Sequence, residues 1–144
     1  MTISIQGVGI SRGIAIGEVH CIKHDQINVP EYIIKKPQVN NEISRLNNAI
    51  KNARNELQSI RDHIPSSTSA NIAEFINTHL LMLEDNALTE EPKKIIQERL
   101  YNAEWAIKLQ RDALVNVFDE MEDAYLRTRK DDVDHVVNRI LRIL

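Results

Sequence analysis

From Val39 onward, apolar residues recur at Val39, Ile43, Leu46, Ile50, Ala53, Leu57, Ile60 and Ile64, in steps that alternate four and three. That spacing predicts a long helix with a narrow, coiled-coil-like seam. Pro65 stops it, and Ser66 to Ser69 supplies a turn with a choice of N-caps. A second helix is predicted over about Asn71–Glu84, with Ile72, Phe75, Ile76, His79, Leu80 and Leu83 on one side. Asp85 and Asn86 break it. Thr89 is then read as the cap of a third, shorter helix, with Glu90 and Glu91 at its positive end and Pro92 in its first turn. Asn102 caps a fourth helix running to about Tyr125. It carries two stripes: Ala106, Leu109, Ala113, Val117 and Met121, then Ile107, Leu114, Phe118 and Tyr125. Two stripes require packing on two sides or leave one exposed as a docking face. The last helix presents Val133, Val136, Val137, Ile140, Leu141 and Leu144.

The first 36 residues follow a different rule. All four glycines, Gly7, Gly9, Gly13 and Gly17, fall there, and the pattern reads as strand, glycine loop, strand, with a further extended piece over Val29–Ile34. Pro30 and Pro37 punctuate this stretch. Two or three strands bury no core alone, so they require either the helices or further chain. The predicted fold class is mainly α: an antiparallel helical bundle or hairpin domain, residues 37–144, preceded by a short β segment, residues 1–36, of a split α/β domain.

Composition narrows the function. With 42% hydrophobic and 27% charged residues the chain is globular, and with 4% aromatics its core is aliphatic. A net charge of −3 argues against a nucleic-acid binder. No apolar run reaches the ~20 residues of a membrane span. No basic signal segment precedes an apolar run, so a cytoplasmic location is expected. The lone Cys21 excludes an internal disulfide. Charge is uneven: Glu74, Glu84, Asp85, Glu90 and Glu91 lie in a stretch without Lys or Arg, as do Asp119, Glu120, Glu122 and Asp123. Such patches suit either a basic partner or a solvated helix face.

Catalytic signatures are thin. Gly7 to Gly13 lacks the Gly-Lys-Ser/Thr ending of a phosphate loop and leads into a strand pattern, so it reads as a turn. His20 and His24 sit in an extended or loop segment, where a spacing of four does not converge on a metal. Asp131, Asp132, Asp134 and His135 read as ion pairs, Arg127 with Asp131 and Asp131 with His135 at i,i+4. No metal or cofactor site is expected in this chain. His79 stands apart, mid-helix beside Leu80, Leu81, Met82 and Leu83. It is either a core histidine or a contact on a partly apolar surface. Leu81 and Met82 fall off the main apolar stripe and, beside acids, suit a docking patch.

Three blocks carry a family resemblance: Gly7-Val8-Gly9-Ile10-Ser11-Arg12-Gly13-Ile14-Ala15-Ile16-Gly17, Phe75 to Asp85 (FINTHLLMLED), and Asp123 to Val133 (DAYLRTRKDDV). Asn102-Ala103-Glu104-Trp105-Ala106 adds to them. In this order and spacing, the chain resembles the N-terminal part of enzyme I of the bacterial phosphoenolpyruvate:sugar phosphotransferase system. The family more usually has Pro at the position of Arg12, and acids where Ala70 and Asn71 stand.

The resemblance implies a helical domain that binds the small phosphocarrier HPr, inserted into an α/β domain that carries the phosphorylated histidine. It implies that none of His20, His24, His63, His79 and His135 is that histidine. It further implies that the returning half of the α/β domain, and the barrel that binds phosphoenolpyruvate and magnesium, lie outside this sequence. Magnesium is expected for the full-length enzyme, which is expected to be a homodimer through its C-terminal half. Carried over, the docking residues are His79, Leu81, Met82, Asp85, Leu88, Phe118 and Arg129. The chain alone is thus expected to bind the carrier and not to be phosphorylated. Two other readings are a histidine-phosphotransfer bundle of two-component signalling and a structural helical adaptor. The first lacks its basic residue and glycine after His79; the second has no use for the glycine-rich segment.

Overall fold

The computed structural model describes residues 8, 12–14, 16–18, 27–65 and 70–144, with the side chains of 124–128 outside the description. The strands expected before residue 27 fall mostly outside the described residues. Among the described residues six helices follow a 3-10 turn at Lys36–Gln38: α1 Val39–Asp62, α2 Ala70–Met82, α3 Asn86–Thr89, α4 Glu91–Arg99, α5 Ala103–Asp119 and α6 Ala124–Ile143. Among the described residues there is no strand beyond one antiparallel bridge, Ile33 with Tyr101. The mainly α architecture is as the periodicity predicts. No helix among the described residues is long and apolar enough to cross a membrane.

The core is aliphatic and continuous. Leu46, Ala49, Ile50, Ala53 and Leu57 of α1 meet Ile76 and Leu80 of α2, Ile96 of α4, Ala103, Ala106 and Ile107 of α5, and Val133, Val136, Val137, Ile140 and Leu141 of α6. α1 is the axis, packing on α2, α4, α5 and α6, and α5 and α6 form the most extensive helix pair. The α6 stripe is the predicted one. The α1 seam is buried from Leu46 to Leu57, while Ile60 is exposed near the C-terminal end. On α2, Ile72 and Phe75 are half-exposed rather than buried. On α5, Ile107, Leu114 and Phe118 face the core and Val117 is exposed. The other stripe is buried at Ala106 and turns outward only further along, at Ala113 and Val117.

Three boundaries differ from expectation, each for a local reason. α2 ends at Met82, short of Glu84, and Asp85 starts another helix: its Oδ1 accepts from Ala87 N–H at 2.7 Å, capping the single turn α3. Thr89 ends that turn, its hydroxyl donating to Asp85 O at 3.0 Å, and does not cap α4. α5 ends at Asp119, not Tyr125. Asp119 and Glu120 stand at the negative end of α5, where acids oppose the helix dipole. Glu122 and Asp123 precede α6, where negative charge is favoured.

Asn102 occupies the N-cap position of α5 but does not cap it. Its side chain is fully buried and turned to the N-terminal segment: Nδ2 donates to Pro30 O at 3.0 Å, and Oδ1 accepts from Tyr32 N–H at 3.1 Å. The α5 end is served from α1 instead. Glu42, 6% exposed, accepts from Ala103 N–H at 2.9 Å. Arg45 holds both Glu42 oxygens, at 2.8 and 2.9 Å, and reaches Glu104 at 2.5 Å and Leu144 O at 3.2 Å. Asn102 Nδ2 also donates to Glu104 Oε2 at 2.9 Å. The chain enters this knot through Leu100, whose left-handed backbone (φ 57°) closes α4. Ile34 N–H then reaches Leu100 O at 2.7 Å.

Burial pushes the Glu104 carboxyl up, but hydrogen bonds from its own backbone, Asn102 and Arg45, with the Arg45 charge, hold it below its ordinary 4.5. The folded state therefore binds fewer protons than the unfolded chain as pH falls. Its stabilising contribution is complete above pH 4.5 and is lost as pH drops through the lower, folded value. Urea midpoints of Glu104→Gln should lack this part of the acid-induced decline; an unaltered decline would contradict it. Glu42→Ala removes a cap and leaves Arg45 with one carboxylate. It should cost about 2–3 kcal/mol in urea unfolding, Arg45 being one-third exposed. A cost within error of zero would show that the knot does not matter.

Candidate docking and histidine site

α2 packs against α6, α5 pairs with α6, and α3, next after α2 in the chain, packs on α4 and α5. The seven docking residues drawn from the sequence spread over these elements at different depths. Leu81 is 68% exposed at the C-terminal end of α2. Met82 is half-buried against the core, as is Phe118 on the last turn of α5. Asp85 is exposed, with one carboxylate oxygen committed to α3. Leu88 is 3% exposed and His79 4%. These two lie beneath the surface.

His79 is held by an aromatic cluster. The Phe75 ring sits one helical turn back, centroids 4.1 Å apart, and edge-on to His135 of α6 at 6.3 Å. His79 Nε2 lies 3.5 Å from Asp132 Oδ1. That separation and alignment leave the buried nitrogen without a hydrogen-bond partner. Asp132 Oδ2 accepts from Arg129 Nη1 at 3.1 Å. One carboxylate thus links His79 and Arg129, two of the seven residues. Burial pushes the His79 imidazole below its ordinary 6.5, only partly offset by Asp132, so it is neutral at pH 7.

Asp132 and His135 were read from the sequence only as members of ion pairs on α6. The Asp132 pairs are instead Arg129, at i,i+3, and His79 from α2. A charge three residues before Asp132 was the available signal for Arg129; nothing local signalled His79.

Four acids of the two patches are paired with cations within the chain. Glu84 pairs with Arg54, Glu90 with Lys93 at 2.7 Å, Glu91 with Lys94 at 2.6 Å and Asp119 with Lys130 at 2.8 Å. A cleft of about 250 Å³ between α1 and α2 is lined by Arg54, Gln58, Arg61, Asn77, Leu80, Leu81 and Glu84.

With the geometry in place, comparison with known proteins decides the family. The profile of "PEP-utilising enzyme, N-terminal" matches residues 6–129. The chain belongs to this family. It is 38% identical over 144 residues to the phosphoenolpyruvate-protein phosphotransferase of Cupriavidus necator, covering all of this chain and 25% of that protein. The protein of that name from Priestia megaterium is 31% identical over 141 residues, covering 98% of this chain and 24% of its own length. That from Bacillus subtilis is 29% identical over 136 residues, with 94% and 24% covered. The chain therefore spans about a quarter of the length of these relatives. An NMR solution structure of an enzyme I protein superposes with a TM-score of 0.76 at 24% identity. It covers 83% of this chain and 48% of that one, and shows a shared fold.

Proposed function

We propose that this chain is the carrier-docking part of a phosphoenolpyruvate-protein phosphotransferase, holding HPr in line for phosphoryl transfer between histidines. The observation that carries the reading is Leu81: a large apolar side chain, 68% exposed, beside Met82 and Asp85. Phe118 and Arg129 come from neighbouring helices. Exposed apolar area with a charged rim is what a protein partner desolvates. Leu81, Met82, Asp85, Phe118 and Arg129 make the contact; His79 and Leu88 support it from below. Transfer between two histidines is mostly positioning, and helices locked by a common core supply a rigid platform.

The sequence divides, in this reading, into residues 1–36, belonging to a phosphohistidine domain, and the docking domain of residues 37–144. Phosphoenolpyruvate, magnesium and homodimer contacts belong to parts of the longer relatives with which this chain does not align. A cytoplasmic, sugar-uptake setting goes with the carrier. The burial of His79 speaks against a histidine-phosphotransfer bundle, whose histidine must meet a second protein's active site.

Because Glu84, Glu90 and Glu91 are paired internally, apolar contact should dominate affinity, with a modest salt dependence. Leu81→Ala should weaken HPr binding about tenfold by calorimetry and leave the urea midpoint unchanged. Equal affinity in the variant, or no binding of HPr at high micromolar concentration, would refute docking at this surface. Incubated with phosphoenolpyruvate and magnesium, the chain should gain no phosphohistidine by mass spectrometry. A phosphorylated product would overturn the assignment of roles.

A further inference from the structure

We infer that His79, Asp132 and His135 form a binding site for a divalent transition-metal ion of the Zn²⁺ class, clamping α2 to α6. The donor atoms of the three side chains all lie within 4.8 Å of one another. Two imidazoles and a carboxylate are a borderline donor set that suits zinc and leaves coordination positions for water. Ligands bound tetrahedrally at ~2.1 Å stand about 3.4 Å apart, and His79 Nε2 and Asp132 Oδ1 are already 3.5 Å apart. His135 is exposed, so its ring is free to close the remaining gap, at most about 1.4 Å.

Two observations separate this cluster from an ordinary surface group of acids. His79 Nε2 is buried, aimed at the cluster and without a hydrogen-bond partner, an arrangement that normally carries a cost. A metal ion satisfies it, and burial favours the neutral imidazole that ligates. Asp132 is also oriented from behind. Arg129 takes Oδ2 and leaves Oδ1 toward the histidines, as outer partners orient ligating carboxylates. Phe75 walls one side against both rings. The cations Arg129 and Arg139 nearby lower affinity, which sets this site apart from a tight structural zinc knuckle. The site does not depend on the docking reading, although occupancy would stiffen the two helices that carry His79 and Arg129.

The test is titration of the 144-residue chain with Zn²⁺ by calorimetry and with Co²⁺ by visible absorption, alongside the melting temperature. One ion per chain, cobalt bands of a low-coordinate site and a raised melting temperature are expected. His135→Ala, at an exposed position, should weaken binding at least about tenfold without altering the metal-free melting temperature. Asp132→Asn should act in the same direction. The inference is overturned if neither ion binds, if His135→Ala binds as the parent does, or if binding is lost instead in His20→Ala/His24→Ala.

Discussion

The structure depends on how the N-terminal end of α5 is satisfied. A helix start exposes unpaired N–H groups and a partial positive charge, and here that end is buried. Its own N-cap residue, Asn102, is engaged elsewhere. The anion arrives from Glu42 on α1, 61 residues earlier in the chain. A carboxylate buried so deeply needs a counter-charge, and Arg45, one turn along, holds both its oxygens. Arg45 in turn gathers Glu104 and the carbonyl of Leu144. Four chain segments therefore meet at one end of the bundle through a single polar knot. Its energetic value lies as much in leaving no group unpaired as in attraction.

The opposite face inherits its geometry from that knot. With α5 fixed against α1, the α5–α6 hairpin sets where Asp132 and His135 stand relative to α2. Acids lie between α5 and α6, where α5 stops at Asp119 rather than at the expected Tyr125. Phe118 is thereby placed on the last turn of α5 and Arg129 in the second turn of α6. Asp85 plays a matching role between α2 and α3, capping α3 three residues after α2 ends at Met82. Helix ends, rather than helix faces, frame the surface.

The proposed docking surface needs exposed apolar area without inviting aggregation. In that reading the chain keeps Leu88 and Leu83 inside and offers Leu81 near Glu84, Glu90 and Glu91, which are already paired with cations. Such pairing limits long-range attraction and favours contact-dependent recognition. The shared fold with an enzyme I structure, at 24% identity, fits a scaffold defined by helix packing while surface residues vary.

Periodicity alone was enough for the α1 seam from Leu46 to Leu57, the α6 stripe from Val133 to Leu141, Pro92 in the first turn of α4 and the start of α5 after Asn102. These are local matters, settled by 3.6-residue spacing and terminal chemistry within a few residues. The family could be recognised from short blocks for the same reason. Only the tertiary structure decided that Glu42 is buried as a remote cap, that Phe75 is half-exposed while Leu88 is covered, and that His79 faces Asp132 and His135. Each depends on side chains brought together from distant parts of the chain. A helical pattern tells which residues share a face, but the neighbouring helix determines whether that face meets water, a carboxylate or another imidazole.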